Sequence, residues 1–448
     1  MNTSFSPFQY AIGAIALLSS IAAIFGGSYL DVARIGALAV LSLQVFVELR
    51  HRQNRFMTSP LFLLSAIGVV FFSVVQGIWG MSAQPDLATF VGSRAEGIIL
   101  AFCMACQVFY LFASTEQRKD TAQKPRFPGQ LVVLLILLTI TVSSVDIALY
   151  SLNTSLFGKV HFVAPALISI SLCVLLLDAP TRGRNFKLTV FFLGIAMLGG
   201  LVYVGEGKVV IFILVAVSLY TIRLFNFSFS RMVLASLVAL LVFMAFVLTI
   251  QQTRWLVSVG PNPTSEMYSR NLMSKAVWRQ TETGYCLGNV LKTHADEPFL
   301  ADKQLFWVKG LVPRVLWPGK PNLSLGKEYA VDYCSKKPRH VGYHSSSITL
   351  LGQPIIHGGM IGLVFHAGFL LLGLAAIERF NANPAALPAA MIVALLPWLM
   401  DFDQDFAMYI ANAVKFALVM ALVFIPVAVI ERRTLTALRA SLAQRKSS

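Results

Sequence analysis

Between Val233 and Ile250 the chain runs without a single charged residue, and shorter uncharged apolar runs recur at Leu131–Ile140 and Leu167–Leu177. A bilayer core takes about 20 mostly apolar residues per helix. Inside hydrocarbon a helix satisfies all its backbone groups within itself, so runs of this length predict membrane-spanning helices. Charged residues make up 13% of the chain, against about 25% in ordinary soluble domains. The expected fold class is an all-α polytopic membrane protein. Met1–Tyr10 carries no basic residue, so the first apolar run reads as a retained helix rather than a cleaved signal peptide.

The apolar runs predict about twelve helices. The first nine fall at Phe8–Phe25, Val32–Leu49, Thr58–Gly80, Arg94–Ala113, Gln130–Tyr150, Val160–Leu177, Phe186–Val204, Lys208–Leu224 and Met232–Gln251. Three more follow a long gap, at Ile355–Ile377, Ala385–Met400 and Phe406–Ile430. The chain thus divides into helices one to nine (1–251), a large loop (252–354), helices ten to twelve (355–430) and a basic tail (431–448). If the Arg50–Arg55 turn is cytoplasmic, alternation puts eighteen Lys and Arg on that side. The short segments opposite hold only Arg34, Arg94, Lys159 and Lys208. Basic residues concentrate on the cytoplasmic side of membrane proteins. Both termini are therefore expected in the cytoplasm of a bacterial inner membrane, with the loop periplasmic. The net charge of +15 lies mostly in those short turns, an arrangement that speaks against a nucleic-acid partner.

The large loop is long for a structureless connection. Among its aromatics, Trp278, Trp307 and Trp317 suggest a small cap of short helices. It holds thirteen Lys and Arg against seven Asp and Glu. Such a cap suits either an anionic lipid-linked partner or the headgroups of membrane lipids. Its only two cysteines, Cys286 and Cys334, form a disulfide candidate in an oxidising compartment; two buried thiols are the alternative. Cys103 and Cys106 form a CxxC inside an apolar helix, where they read as small core residues.

The chain contains no Walker lysine loop, HExxH, GxSxG or Cys/His cluster with metal spacing, which argues against ATP-driven transport and zinc hydrolysis. Four segments stand out instead. Pro313-Arg314-Val315-Leu316-Trp317-Pro318-Gly319-Lys320-Pro321 is a stiff, proline-framed stretch. It can fix a guanidinium against phosphate oxygens, or pair Arg314 with a loop carboxylate and anchor Trp317 at the interface. His344-Ser345-Ser346-Ser347-Ile348-Thr349-Leu350-Leu351-Gly352-Gln353 leads into His357-Gly358-Gly359-Met360-Ile361-Gly362. Glycines there let a helix begin close to a neighbour or ligand, and His344 and His357 are either bases or structural hydrogen-bonders. Gly205-Glu206-Gly207-Lys208 places a cation in the first turn of a helix, where the dipole is already positive. Either an anion binds there or Glu206 compensates. Lastly Asp401, Asp403 and Asp405 form an acidic turn, and Lys415 lies deep in the final helix, a costly position for a charge unless it is paired or wet. A divalent metal, a pairing with Lys415 or plain solvation would each account for the acidic turn.

These residues resemble the O-antigen polymerase-like (Wzy-type) membrane glycosyltransferases. Members carry a Pro-Arg-Trp-Pro-Lys-Pro loop, similar to Pro313–Pro321. A Ser/Thr-rich stretch ending in Gly-Glu follows, then Asn-Phe-Gly-x-x-Gly opening a helix. Here those read as Ser346, Ser347, Thr349 and Gly352-Gln353, then His357-Gly358-Gly359-Met360-Ile361-Gly362. A Gly and basic far-side turn resembles Gly205–Lys208. Gln353 stands where Glu is usual, His357 where Asn is usual, and Lys208 where Arg is common. The specific part covers roughly 50 residues, and the twelve-helix layout with a late large loop agrees along the chain.

The resemblance implies a GT-C-like, metal-independent glycosyltransferase without cofactor. It would polymerise undecaprenyl-pyrophosphate-linked oligosaccharide repeat units into an O-antigen or exopolysaccharide, with a chain-length regulator as a partner. Arg314, Lys208 and His344 are its expected catalytic residues. Lys320, Trp317, Ser346, Ser347, Gly352, Gln353, His357, Gly359 and Gly362 are its expected substrate contacts. The related O-antigen ligases carry a loop His at fixed spacing from Gly-x-x-Gly. Counting back from Gly359, that His would fall at Ile348, which favours polymerase over ligase. A lipid-linked oligosaccharide flippase is the rival from another class. It predicts charges lining several spans and an internal repeat.

Overall fold

Leu18, Leu134, Phe192, Leu372 and Leu422 all point outwards, which suits hydrocarbon rather than water as the surrounding medium. The computed structural model describes residues 7–25, 29–50, 54–70, 94–115, 129–154, 156, 161–178, 183–204, 206–227, 234, 283–312, 317, 319–320, 325–334 and 346–447. Among them every regular element is helical. Seven of the helices are long and apolar enough to cross a membrane. The protein is a helical, membrane-embedded one. The expected helix at Met232–Gln251 lies outside the described residues, apart from Leu234.

In chain order the helices are α1 (Pro7–Phe25), α2 (Tyr29–Arg50), α3 (Pro60–Val69), α4 (Arg94–Thr115), α5 (Gly129–Ser151), α6 (Val163–Asp178), α7 (Arg184–Tyr203) and α8 (Gly207–Leu224). The large loop contributes α9 (283–294) and α10 (Gly326–Asp332). A single helical turn at Val308–Leu311 lies between α9 and α10, and α11 (Thr349–Glu378), α12 (Leu387–Leu399) and α13 (Phe406–Ser447) follow the loop. Local chemistry sets several ends. Ser59 caps α3 by accepting from the Phe62 N–H, with Pro60 in the first turn, a position where its missing donor costs nothing. α1 packs on α2 and α4, and α6 lies against α5, α7, α8 and α12. α11 and α13 close the bundle against α4 and α6 respectively.

Most helix ends among the described residues fall within three residues of the sequence expectation, and the start of α11 and the end of α13 depart further. α11 opens at Thr349, within the residues assigned to the large loop, and Pro354 lies inside it. Proline near a helix start forfeits only one hydrogen bond, so it did not end the loop. α11 is then broken at Gly358 and Gly359, which have non-helical backbone angles. α13 continues through the basic tail to Ser447, so that its 42 residues extend about 63 Å, twice the hydrocarbon core.

At the end of the bundle opposite Lys208, buried polar residues gather from α2, α4, α8, α11 and the segments around Thr58 and Asn381. Arg223 of α8 donates to Thr58, to the side chain and carbonyl of Asn381 and to the carbonyl of Ala382. Asn381 donates to Glu378, and Tyr110 to Glu48. The Tyr220 hydroxyl donates to the Pro384 carbonyl. Arg223 is 3% exposed, and an unpaired charge at that depth would be strongly destabilising.

Candidate functional site

Three sequence segments meet at the other end. Lys208, in the first turn of α8, places its ammonium 2.7 Å from Asp401 Oδ1 and 3.6 Å from Asp403 Oδ2. Both carboxylates belong to the turn between α12 and α13. Glu206, the expected compensator of Lys208, faces His161 instead, with Oε1 3.0 Å from Nε2. His161 Nδ1 lies 2.7 Å from Asp146 Oδ2 of α5. Both ring nitrogens thus face carboxylates, the arrangement of an imidazolium. Burial alone would lower the His161 pKa, but its hydrogen bonds to Glu206 and Asp146 outweigh burial and raise it.

The same acidic turn reaches the Ser/Thr-rich stretch. Asp405 accepts from the Ile348 N–H, and burial pushes its carboxyl up to about 7. Asp401 is raised by burial too, with the Lys208 cation working against the shift. Gln353 sits between three elements: its amide donates to the Tyr329 hydroxyl at 2.8 Å, and its oxygen accepts from the Ala407 N–H at 2.8 Å. It is buried and holds the start of α13 against α10 and α11. Its position as an expected substrate contact is therefore taken up by protein partners.

The other expected contacts separate into two groups. Ser346 donates its N–H to Gly326, and the Ser347 hydroxyl accepts from the Thr349 N–H. Thr349 is buried with φ +64°, a strained conformation for a β-branched residue. At Gly352 an added Cβ would come within 2.7 Å of the Ile348 side chain. His357 stacks on Phe306 at 4.2 Å between centroids, and its carbonyl accepts from Gln304 at 3.0 Å. Gly359 has φ +60°, and a Cβ there would meet the Glu297 carbonyl at 2.4 Å. At Gly362 it would meet the Pro354 carbonyl at 2.6 Å. These glycines serve the break in α11, which the Ala295 carbonyl caps by accepting from the Met360 N–H at 3.0 Å.

In the proline-framed stretch Trp317 is exposed. Lys320 is buried, and its ammonium donates to the carbonyls of Gly310 and Val312 at 2.9 and 2.8 Å. There it braces the loop rather than presenting a charge. Arg314 and His344 lie outside the described residues. Cys286 of α9 and Cys334, just past α10, are joined by a disulfide.

Sequence reasoning missed His161, Asp146 and His366. His366 is buried, with Nδ1 2.8 Å from the Gly362 carbonyl and Nε2 3.1 Å from that of Gln304. A signal for the first pair was available. Asp146 interrupts an apolar helix fifteen residues before His161, and a carboxylate there needs a partner. At this end the described carboxylates Asp146, Glu206, Asp401, Asp403 and Asp405 exceed the cations paired with them, Lys208 and His161. No group of His, Cys, Asp and Glu among the described residues could hold a metal ion. Such a cluster can accept a proton, since a carboxyl near 7 is matched to that task. An anion would have to share Lys208 with Asp401. The chain matches no protein-family model, no curated protein and no solved structure.

Proposed function

We propose that this chain is a metal-independent membrane glycosyltransferase that polymerises undecaprenyl-pyrophosphate-linked repeat units into a surface polysaccharide. The observation that carries the reading is the meeting of the Glu206–Lys208 turn with the Ser346–Gln353 stretch through the acidic turn 401–407. The finer architecture belongs to the same proposal. It has twelve spans, both termini cytoplasmic, an inner-membrane location and residues 252–354 as a periplasmic cap.

In the reaction an acceptor hydroxyl oxygen forms a bond to the anomeric carbon of the donor glycan. The bond from that carbon to the pyrophosphate oxygen breaks, and its electron pair leaves with the lipid pyrophosphate. The hydroxyl proton passes to a base, His344 in this assignment. The leaving group carries its charge away, so preorganised cations stabilise the transition state. Arg314 supplies the larger part, because Lys208 already shares its charge with Asp401.

The buried network around Arg223, Glu378 and Glu48 favours a second reading, a lipid-linked oligosaccharide flippase, since charges within spans mark transport paths. Deleting the gene and resolving the cell's surface polysaccharide on a gel separates these readings. Single-repeat caps support the polymerase. A stalled cytoplasmic precursor indicates the flippase, and unmodified lipid A core indicates a ligase.

A further inference from the structure

Beyond that reading, the segment between Phe299 and Lys309 has its polarity inverted at five positions, although Asp302, Lys303 and Lys309 remain exposed. Gln304 is buried while its neighbour Leu305 is 61% exposed, and Phe299, Leu300 and Val308 are exposed with it. A loop surrounded by water would turn these residues the other way. The inversion is fixed by specific bonds. The Gln304 side-chain amide donates to the carbonyls of Leu300 and His357 at 2.9 and 3.0 Å, and the Gln304 backbone carbonyl faces His366 Nε2.

The segment rests on the part of α11 that follows the break. Phe299 meets Phe365 with centroids 5.7 Å apart, and Trp307 stacks on Phe369 at 5.6 Å. Ile361, Val364, Phe365 and Phe369 are themselves exposed on a helix apolar enough to cross a membrane, so they face lipid. The apolar face of the loop segment continues that strip. Lys303 and Lys309 are exposed at its edges, with Asp302 beside the first. Long lysine stems let their ammonium groups reach phosphate while the flanking side chains stay in hydrocarbon.

We propose that residues 299–309 form an in-plane membrane anchor, seated on α11, whose occupant is the phospholipid bilayer itself. Phe299, Leu300, Leu305 and Val308 enter the acyl region, and Lys303 and Lys309 meet headgroup phosphates. The anchor is held by apolar contact rather than net charge, since Asp302 offsets one lysine.

The test uses the full chain in phospholipid nanodiscs. Cys103, Cys106 and Cys173 are buried and Cys286 and Cys334 are bonded to each other. An introduced cysteine is therefore the accessible site among the described residues. Leu305→Cys carries an environment-sensitive fluorophore, Val308→Cys repeats the measurement, and Lys327→Cys on α10 is the aqueous control. Lipids brominated on their chains should quench the labels at 305 and 308 about threefold more than the label at 327, as for an interfacial segment. Quenching equal to the control, with free access for aqueous iodide, overturns the anchor. Protection from both quenchers would seat another protein surface there and overturns it as well. Neither readout depends on glycan transfer, so failure here leaves the polymerase reading to its own test.

Discussion

The Lys208 ammonium lies 2.7 Å from a carboxylate oxygen of Asp401, which is buried while the lysine is half-exposed. One charge pair therefore joins the start of α8 to the turn between α12 and α13. Removing the lysine leaves a buried carboxylate uncompensated, and removing both groups does not. Lys208→Ala should lower stability by about 1–2 kcal/mol, less than for a fully buried pair. The double variant with Asp401→Asn should recover much of it. Thermal unfolding in detergent completes the cycle, and strict additivity would show that the two residues do not interact.

Gly359 and Gly368 share a helix but differ in kind. Gly359 has φ +60° with a carbonyl where a Cβ would go, whereas nothing lies within 4 Å of a Cβ at Gly368. Gly359→Ala should cost about 2–4 kcal/mol through strain and displacement of the 295–297 turn. Gly368→Ala should be neutral or gain up to about 1 kcal/mol. Equal yields of folded protein from both would dispose of the broken helix.

The Cys286–Cys334 bridge closes a separation of 48 residues, which predicts about 3–4 kcal/mol of stabilisation by chain entropy. Thiol labelling of denatured, unreduced protein should modify neither residue. Replacing both with serine should lower the unfolding temperature.

His161 and Asp405 both make stability fall as pH rises, in different windows. The raised pKa of His161 means that its contribution is complete below the ordinary imidazole value of about 6.5. It is lost as pH passes the higher folded value. Asp405 is an acid whose folded value is raised to about 7 by burial. The folded state therefore favours its protonated form, and stability falls from about pH 4, levelling off above 7. His161→Gln should flatten the unfolding-temperature profile at and above neutrality, and Asp405→Asn the profile below it. Profiles unchanged in both variants would contradict the assignment.

For the proposed reaction, Arg314→Ala should shorten the polysaccharide most, Lys208→Ala less, and Lys208→Arg little. Chain-length distributions at equal expression report the order. Normal long chains from Arg314→Ala would remove the pyrophosphate clamp.

The helices were legible because each apolar run answers to the bilayer locally. Arg94 and Phe406 begin helices at the residues where charge gives way to apolar sequence. The partner of Lys208 was not legible in the same way. Glu206 and the acidic turn were both chemically competent, and only the packing of α8 against α12 brings Asp401 rather than Glu206 to the ammonium. The role of Gln353 was hidden for a similar reason, since its partners Tyr329 and Ala407 come from remote segments. The break in α11 was half visible: its glycines stood out, but nothing local indicated that the carbonyls of Ala295 and Glu297 would approach them.

α8 bears a cation at each end, and each one grips a turn that flanks α12: Lys208 holds Asp401, and Arg223 holds Asn381 and Ala382. α12 cannot slide along its axis or rotate without breaking one grip or the other. The two grips together fix the register of α12 against α8 at both of its ends.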